Sequence, residues 1–137
     1  MNNTFTVSAI IHTTKSLAWE KWTRPTHIVN WNFASDDWCC PTASNDLMVG
    51  GKFQSRMESK DGSMGFDFEG TYTAMKEKEH FAYILADQRT IDVYFEECAE
   101  GVKVTEVVTP ETVNPVEMQL AGWQAILNNF KLYAERE

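Results

Sequence analysis

Apolar and polar residues alternate along most of the middle of the chain. The alternation is clearest in residues 48–59, 66–72, 91–96 and 102–108, whereas residues 81–86 are apolar on both faces. Alternation with a period of two places one set of side chains in a dry interior and the other toward water, as in an antiparallel sheet. The pattern therefore predicts about five antiparallel strands in this region.

The sharpest local signal is the Asp61-Gly62 pair, which separates two alternating segments. Glycine accepts the positive φ that a tight hairpin turn requires, so we predict a hairpin with its turn at residues 60–63. The Gly50-Gly51 pair indicates a bend or bulge at the start of the same hairpin. We therefore expect the sheet to be curved.

Before the sheet, the pattern predicts a first strand over residues 4–12 and a short helix over 16–22 with Ser16 as its N-cap. Pro25 suits the first turn of a second short helix, which we expect to run to about Trp31. The next residues, 32–45, have no clean period. We predict a long loop there, and such loops in small domains are usually functional or act as lids.

The end of the chain shows the 3.6-residue period of an amphipathic helix. About twenty residues of helix would be about 30 Å long. A curved sheet around one long helix leaves a cavity between them, which favours small-molecule binding. The apolar stripe consists of Val116, Leu120, Trp123, Leu127, Phe130 and Ala134, widened by Ile126 and Tyr133.

Composition narrows the class of protein further. A length of 137 residues suits a single domain over 1–137, and the formal charge of −8 disfavours nucleic acids and anionic membrane surfaces as partners. No apolar run approaches the ~20 residues that a membrane-spanning helix needs. The N-terminus lacks the features of a signal peptide, so we expect a cytoplasmic protein.

The cysteines and histidines do not form a recognisable ligand set. Cys39 and Cys40 are adjacent, Cys98 is distant, and the odd number indicates free thiols. No Cys-x-x-Cys or His-x3-His spacing is present, so we expect neither a metal nor a cofactor. A nucleophilic cysteine would need a base or a positive field, and the neighbouring sequence offers neither.

Glu106 is the leading candidate for acid–base chemistry, because it shares a strand face with Val102, Val104 and Val108. If that face lines the cavity, desolvation would raise the pKa of the carboxyl and suit it to proton transfer or to holding a ligand hydroxyl. The alternative is a bulge, or a face that turns Glu106 toward water.

His27 could be a base at the cavity mouth beside Asp36 or Asp37, but a solvated histidine and ordinary turn chemistry are the alternatives. Arg56 or Tyr83 could help Glu106 to orient a ligand, with Trp38 and its loop as a lid. Aromatic and methionine side chains adapt to apolar ligands of irregular shape. The predicted ligand-binding residues are Trp31, Trp38, Met57, Phe66, Phe68, Tyr83, Phe95, Glu106, Met118 and Trp123.

Five segments in this order, 18–25, Trp31, 46–53, 69–72 and 122–123, resemble the family of homologues of the activator of heat-shock-protein-90 ATPase, within the START-like (SRPBCC) superfamily. The resemblance covers nearly the whole chain. It implies an α+β helix-grip fold, in which a curved antiparallel sheet wraps around a long C-terminal helix above a deep cavity, with two short helices after strand one. It also implies apolar ligands such as lipids, steroids or polyketides.

Three functions follow as hypotheses. The first is a carrier of a small apolar or amphipathic molecule, and the second is a cyclase, dehydrase or hydrolase that uses Glu106. The third, a chaperone co-activator, is implied by the resemblance only, and the activator itself has a further N-terminal domain for which we expect no room here.

Relatives often carry an acidic residue at Arg24 and a Trp at Asn32, so the cavity mouth departs from the family pattern. Homodimerisation through a sheet edge or the final helix is left open.

Overall fold

A computed structural model describes residues 4–136 of the chain. Seven strands and three helices follow one another along it, and the last helix lies against the sheet that the strands form. The elements are β1 (Phe5–Ile11), α1 (Lys15–Thr23), α2 (Pro25–Ile28), β2 (Trp38–Asn45), β3 (Lys52–Ser59), β4 (Gly65–Lys76), β5 (His80–Leu85), β6 (Thr90–Cys98), β7 (Gly101–Val108) and α3 (Val116–Ala134).

All the strands belong to one antiparallel sheet in the order β1-β7-β6-β5-β4-β3-β2. The predicted α+β helix-grip fold is confirmed: the sheet curls around α3, and two short helices follow β1. The predicted hairpin joins β3 to β4, and Gly62 in its turn has a φ of +77°. The bend at Gly50 has a φ of +85°, and a side chain at Gly51 would lie 2.1 Å from the Asp46 carbonyl oxygen.

The predicted loop over residues 32–45 is wrong for its second part, because residues 38–45 form the edge strand β2. Its pairing with β3 shifts register between Cys39 and Thr42, around Pro41, which removes the alternation that identifies a strand. The predicted N-cap is also wrong, since the Thr14 hydroxyl accepts the Leu17 N–H at 3.1 Å. Helix α2 ends at Ile28, short of Trp31.

The core lies between the concave face of the sheet, α1 and the C-terminal half of α3. The aromatic ring of Trp19 lies 5.2 Å from that of Phe95, and the ring of Trp22 lies 4.7 Å from that of Phe130. The predicted apolar stripe of α3 is buried at Leu127, Phe130 and Ala134 only. Its first residues are exposed, with Val116 at 45% and Leu120 at 38%. The first turns of α3 are therefore exposed, and Trp123 is the residue of its N-terminal half that packs against the core.

Three backbone groups at the outer edge of β1 bind polar side chains from α3 and from Glu135, the residue after it. These side chains take the backbone groups that a further strand would use. These side chains bind every second residue, because the backbone N–H and C=O groups of alternate residues in an edge strand point outward. The contacts are Gln124 to the Ser8 carbonyl at 3.2 Å, Lys131 to the Ile10 carbonyl at 2.6 Å, and the His12 N–H to the Glu135 carboxylate at 2.9 Å.

Candidate functional site

A cavity of about 430 Å³ lies between the N-terminal half of α3 and the concave face of the sheet. Its volume is within the range of small-molecule sites in proteins. Aromatic and aliphatic side chains make up most of the wall, and a few polar groups interrupt it. The apolar wall includes Trp22, Ile28, Trp31, Ala34, Phe53, Met57, Phe66, Phe68, Phe81, Met118, Trp123 and Ile126.

The cavity brings together every predicted ligand-binding residue except Trp38 and Phe95. Three neighbouring strands contribute inward side chains to it, because β3, β4 and β5 present alternate residues to the same face. Two of the predicted residues, Phe66 and Met118, remain largely exposed at its mouth. The predicted residues on the wall are Trp31, Met57, Phe66, Phe68, Tyr83, Glu106, Met118 and Trp123.

The two exceptions have separate causes. Phe95 is only 2% exposed and lies in the core, because the rings of Trp19 and Trp22 cover it at 5.2 and 5.8 Å. Trp38 is paired with Ser59 at the start of β2, so it is not part of a long loop that could act as a lid. It lines a smaller adjoining cavity of about 210 Å³, where it packs against Phe66.

Several wall residues were not predicted from the sequence. Phe53 and Ser55 share a strand face with Met57, and Tyr72 shares one with Phe68, so the period of two already contained the signal. Trp22 reaches the cavity from α1. Its position depends on how that helix packs on the sheet, which no local pattern reveals.

Glu106 lies in the middle of β7, opposite Val7 of β1 and Val93 of β6. Its side chain points into the cavity and is only 4% exposed. Burial raises the pKa of the carboxyl to about 8, because the apolar surroundings disfavour the carboxylate. The inward orientation that the strand pattern suggested is therefore the one in the structure, and Glu106 is protonated at neutral pH.

Tyr83 is another buried polar residue on this wall, which also contains Ser55 and Tyr72. Burial, and then the neighbouring Glu106, raise the pKa of its phenol well above the ordinary value, so the hydroxyl keeps its proton. Tyr72 differs, because its hydroxyl donates to the Asn45 side-chain oxygen at 2.6 Å. Of the two tyrosines, Tyr83 is the one whose hydroxyl has no protein partner among residues 4–136.

The oxygens of Glu106 and Tyr83 are open to the cavity volume. Every fully enclosed side-chain nitrogen or oxygen in the described part of the chain has a hydrogen-bond partner. Neither the Glu106 carboxyl nor the Tyr83 hydroxyl has a hydrogen bond to residues 4–136, so neither can be fully enclosed. Since both residues are buried and line the cavity, these oxygens must face its interior.

The charged residues at the cavity are held by other partners. Arg89 donates to the Asp87 carboxylate at 2.7 Å. The Glu111 carboxylate accepts the backbone N–H of Val113 at 3.1 Å and also that of Asn114. The charged groups thus lie in the two turns that border the cavity, and its interior is neutral at neutral pH.

The other candidate residues lie away from the cavity. His27 contacts the Tyr133 hydroxyl at 2.6 Å, on the far side of α2. Asp36 and Asp37 lie in an exposed turn, where Asp37 accepts a hydrogen bond from Ser35. Arg56 pairs with Glu58 at 2.9 Å on the outer face of β3, so it cannot orient a ligand in the cavity.

The adjacent cysteines offer no sign of reactivity. Cys40 is buried, and its thiol lies 3.5 Å from the Thr42 carbonyl oxygen. Burial raises the pKa of this thiol, which lowers its nucleophilicity at neutral pH. All three cysteines are free thiols, as the sequence predicted.

Within residues 4–136, no cluster of three or more His, Cys, Asp or Glu side chains has the arrangement of a metal site. None of the helices in that range is both long and apolar enough to cross a bilayer.

The chain is similar to proteins whose structures are solved. An AHSA1-like protein from Aeromonas hydrophila is 39% identical, with a TM-score of 0.92 over 97% of this chain and 92% of that one. A protein from Cytophaga hutchinsonii is 40% identical, with a TM-score of 0.80 over 98% and 92% of the two chains. A protein from Chromobacterium violaceum shares the fold at 17% identity, with a TM-score of 0.87 over 98% and 99%.

No functionally curated protein matches the chain. The family model described as "Activator of Hsp90 ATPase homolog 1-like protein" matches residues 12–135, which include β7, α3 and the whole cavity wall. This match and the two relatives near 40% identity agree with the resemblance seen in the sequence. The chain therefore belongs to the Activator of Hsp90 ATPase homolog 1-like family, with the START-like (SRPBCC) fold.

Proposed function

We propose that this protein binds a small apolar or amphipathic molecule in the cavity between α3 and the sheet. The observation that carries the proposal is an apolar cavity of about 430 Å³ onto which the Glu106 carboxyl and the Tyr83 hydroxyl open, neither with a hydrogen bond to residues 4–136. A wall of aromatic rings supplies affinity through apolar contact, and a few convergent polar groups supply orientation. A ligand that fills the cavity would enclose both groups, and its hydrogen bonds to them would offset the free-energy cost of burying them.

The test is to close the cavity without disturbing the fold. Gly122 lies on the cavity wall, and no atom lies within 4 Å of the position that its Cβ would take. A leucine at this position has room to extend into the cavity. Ala121 is the matched control, because it is the neighbouring residue on α3 and is exposed.

Native mass spectrometry of freshly purified protein would reveal a bound molecule as an excess over the denatured mass. We expect wild type and Ala121→Leu to carry or bind the same small molecule, and Gly122→Leu to lose it while unfolding at a similar temperature. Equal binding by Gly122→Leu and wild type would show that the ligand sits elsewhere and would overturn the proposal.

The second candidate function is enzymatic, and the protonated Glu106 favours it. A carboxyl whose pKa is about 8 is suited to general acid–base chemistry near neutral pH, as in cyclases, dehydrases or hydrolases. Tyr83 is a second polar group on the wall that could contact a reacting atom. Once a turnover is found, Glu106→Gln should abolish it while leaving binding intact, and unchanged turnover would exclude this role.

The third candidate is a chaperone-directed role, which rests on the family description alone. It requires a surface that contacts a protein, whereas the features described above are those of an internal site. Its measurement is the ATPase rate of the chaperone with and without micromolar amounts of this protein. An unchanged rate together with no detectable complex would remove this candidate.

A further inference from the structure

We propose that the cavity selects molecules whose buried end carries an uncharged carbonyl oxygen, which accepts hydrogen bonds from both the Glu106 carboxyl and the Tyr83 hydroxyl. This inference rests on the proposed function and adds the class of ligand to it. It predicts preference for ketones over hydrocarbons of the same shape, and rejection of carboxylates and amines.

The sheet register brings the two donors to the same part of the cavity. Val93 pairs with Glu106 on one side and with Phe81 on the other, so these three residues form one row across the concave face. Tyr83 is two residues from Phe81 on β5 and therefore points to the same face. Both residues are on the wall of the same cavity, so the two side chains open to one common volume.

Among residues 4–136, neither O–H group has a hydrogen-bond acceptor, and no cationic side chain forms an ion pair with Glu106. The elements packed against Glu106 present apolar residues: Val7 from β1, Val93 from β6 and Trp22 from α1. From α3 the wall receives Met118, Gln119, Gly122, Trp123 and Ile126, none of which is charged.

The titratable or charged residues elsewhere on the wall are Tyr72, Tyr83, Arg89 and Glu111. The Tyr72 hydroxyl donates to Asn45, Arg89 is paired with Asp87, and Glu111 accepts backbone N–H groups. Burial alone therefore determines the protonation of Glu106, whose pKa is about 8. At neutral pH the Glu106 carboxyl and the Tyr83 hydroxyl thus present O–H donors to the cavity, and neither has an acceptor among residues 4–136.

A carbonyl oxygen has two lone pairs and can accept both hydrogen bonds at once. A ligand carboxylate would bring an unpaired negative charge into an apolar site, which is far more costly than burying a neutral oxygen. An amine would have to ionise Glu106 and form a buried ion pair, in which the cost of desolvating both charges offsets their attraction. The neutral carbonyl is thus the ligand end that fits.

Four probes with the same pair of phenyl rings separate these alternatives: benzophenone, diphenylmethane, diphenylacetate and benzhydrylamine. The aromatic wall can take the rings in each case, so differences in affinity report on the central group. Isothermal titration calorimetry at pH 6.5 should give a dissociation constant for benzophenone about tenfold below that for diphenylmethane. Diphenylacetate and benzhydrylamine should bind more weakly than diphenylmethane.

Variants assign the preference to the two donors. Glu106→Leu and Tyr83→Phe should each reduce the preference for benzophenone, and the double variant should abolish it. Glu106→Gln should keep the preference, because the amide still donates a hydrogen bond. Binding of diphenylmethane to each variant, together with its unfolding temperature, shows that the cavity is intact.

The dependence on pH provides a second readout. Benzophenone affinity for wild type should be constant below about pH 8 and fall above it, as Glu106 loses the proton that it donates. The affinity of Glu106→Gln should not change over the same range. Diphenylmethane should show no such fall in either protein.

The outcomes distinguish this inference from the proposed function. Equal binding of benzophenone and diphenylmethane would leave the cavity as a binding site and overturn the carbonyl preference. Tightest binding of benzhydrylamine, or binding that strengthens as Glu106 ionises, would overturn it in favour of a cationic ligand. If none of the probes binds and Gly122→Leu leaves every ligand signal unchanged, the proposed function and this inference both fail.

Discussion

Replacing Glu106 with Gln exchanges a buried carboxyl for an amide of nearly the same shape that cannot ionise. In the folded protein the pKa of this carboxyl is about 8, against an ordinary value of 4.5 that applies to the unfolded chain. Between these two values the unfolded chain releases a proton that the folded chain retains. Wild-type stability must therefore fall as the pH rises through this interval.

The size of the effect follows from the two pKa values. Each pH unit between them removes about 1.4 kcal/mol from the free energy of unfolding. The interval from 4.5 to about 8 corresponds to a total of about 5 kcal/mol. The contribution of the protonated carboxyl is complete below pH 4.5 and is lost above pH 8. Glu106→Gln lacks this loss, so its stability relative to wild type should increase with pH.

The assay is urea unfolding followed by tryptophan fluorescence, on wild type and Glu106→Gln, at intervals between pH 5 and 8.5. Other groups titrate in both proteins, so the difference between the two free energies isolates Glu106. Glu96→Gln is the matched control, because Glu96 is an exposed carboxylate on the neighbouring strand β6. The free energy of unfolding of Glu96→Gln should change with pH in the same way as that of wild type.

A difference between Glu106→Gln and wild type that stays constant from pH 5 to 8.5 would contradict a raised pKa for Glu106 in the folded protein. It would mean that the folded protein hydrates or pairs the Glu106 carboxylate as well as water does. The inferred pair of O–H donors would then be wrong too, because Glu106 would already be ionised at neutral pH.

Three further substitutions test the packing around the site, each measured as a change in the free energy of unfolding in urea. Gly122→Ala should stabilise the protein by about 1 kcal/mol, because alanine favours a helix and its Cβ meets no atom within 4 Å; a loss of stability would contradict the open space there. Gly101→Ala should destabilise the protein by more than about 1 kcal/mol. Gly101 has a φ of +148°, and an added Cβ would lie 2.2 Å from the Ile11 carbonyl oxygen. If the variant were as stable as wild type, the backbone could not approach this closely. Leu127→Ala should cost about 2–5 kcal/mol, because Leu127 is 0% exposed in the core beside the cavity, and a cost below 1 kcal/mol would argue against tight packing of the C-terminal half of α3.

The sequence predicted the elements in which the local pattern of apolar and polar residues matches the burial of their side chains in the fold. The hairpin at Gly62 combines strict alternation with the one residue type that its turn requires, so its prediction was confirmed. Strand β2 was missed, because Pro41 and the register shift between Cys39 and Thr42 remove the alternation that would have identified it. Strand β2 is held in the sheet by its backbone hydrogen bonds to β3. These bonds cannot be inferred from the order of apolar and polar residues within β2 alone.

The sequence predicted which face of each strand a candidate side chain lies on. It did not predict whether that side chain lines the cavity or is buried in the core. Phe68 and Phe95 both point to the concave face, yet Phe68 lines the cavity and Phe95 lies in the core. The difference arises from α1, whose Trp19 and Trp22 cover Phe95. Because these contacts join residues far apart in the sequence, no local period could separate the cavity from the core.

The covered edge of β1 limits how copies of this chain could join through their sheets. An edge strand with free backbone groups can recruit another strand, and a sheet with two such edges could grow without end. Here three backbone groups of this edge already have partners: the Ser8 carbonyl binds Gln124, the Ile10 carbonyl binds Lys131, and the His12 N–H binds Glu135. A further strand could add to β1 only if these three hydrogen bonds broke first, so extension of the sheet at this edge carries an additional free-energy cost.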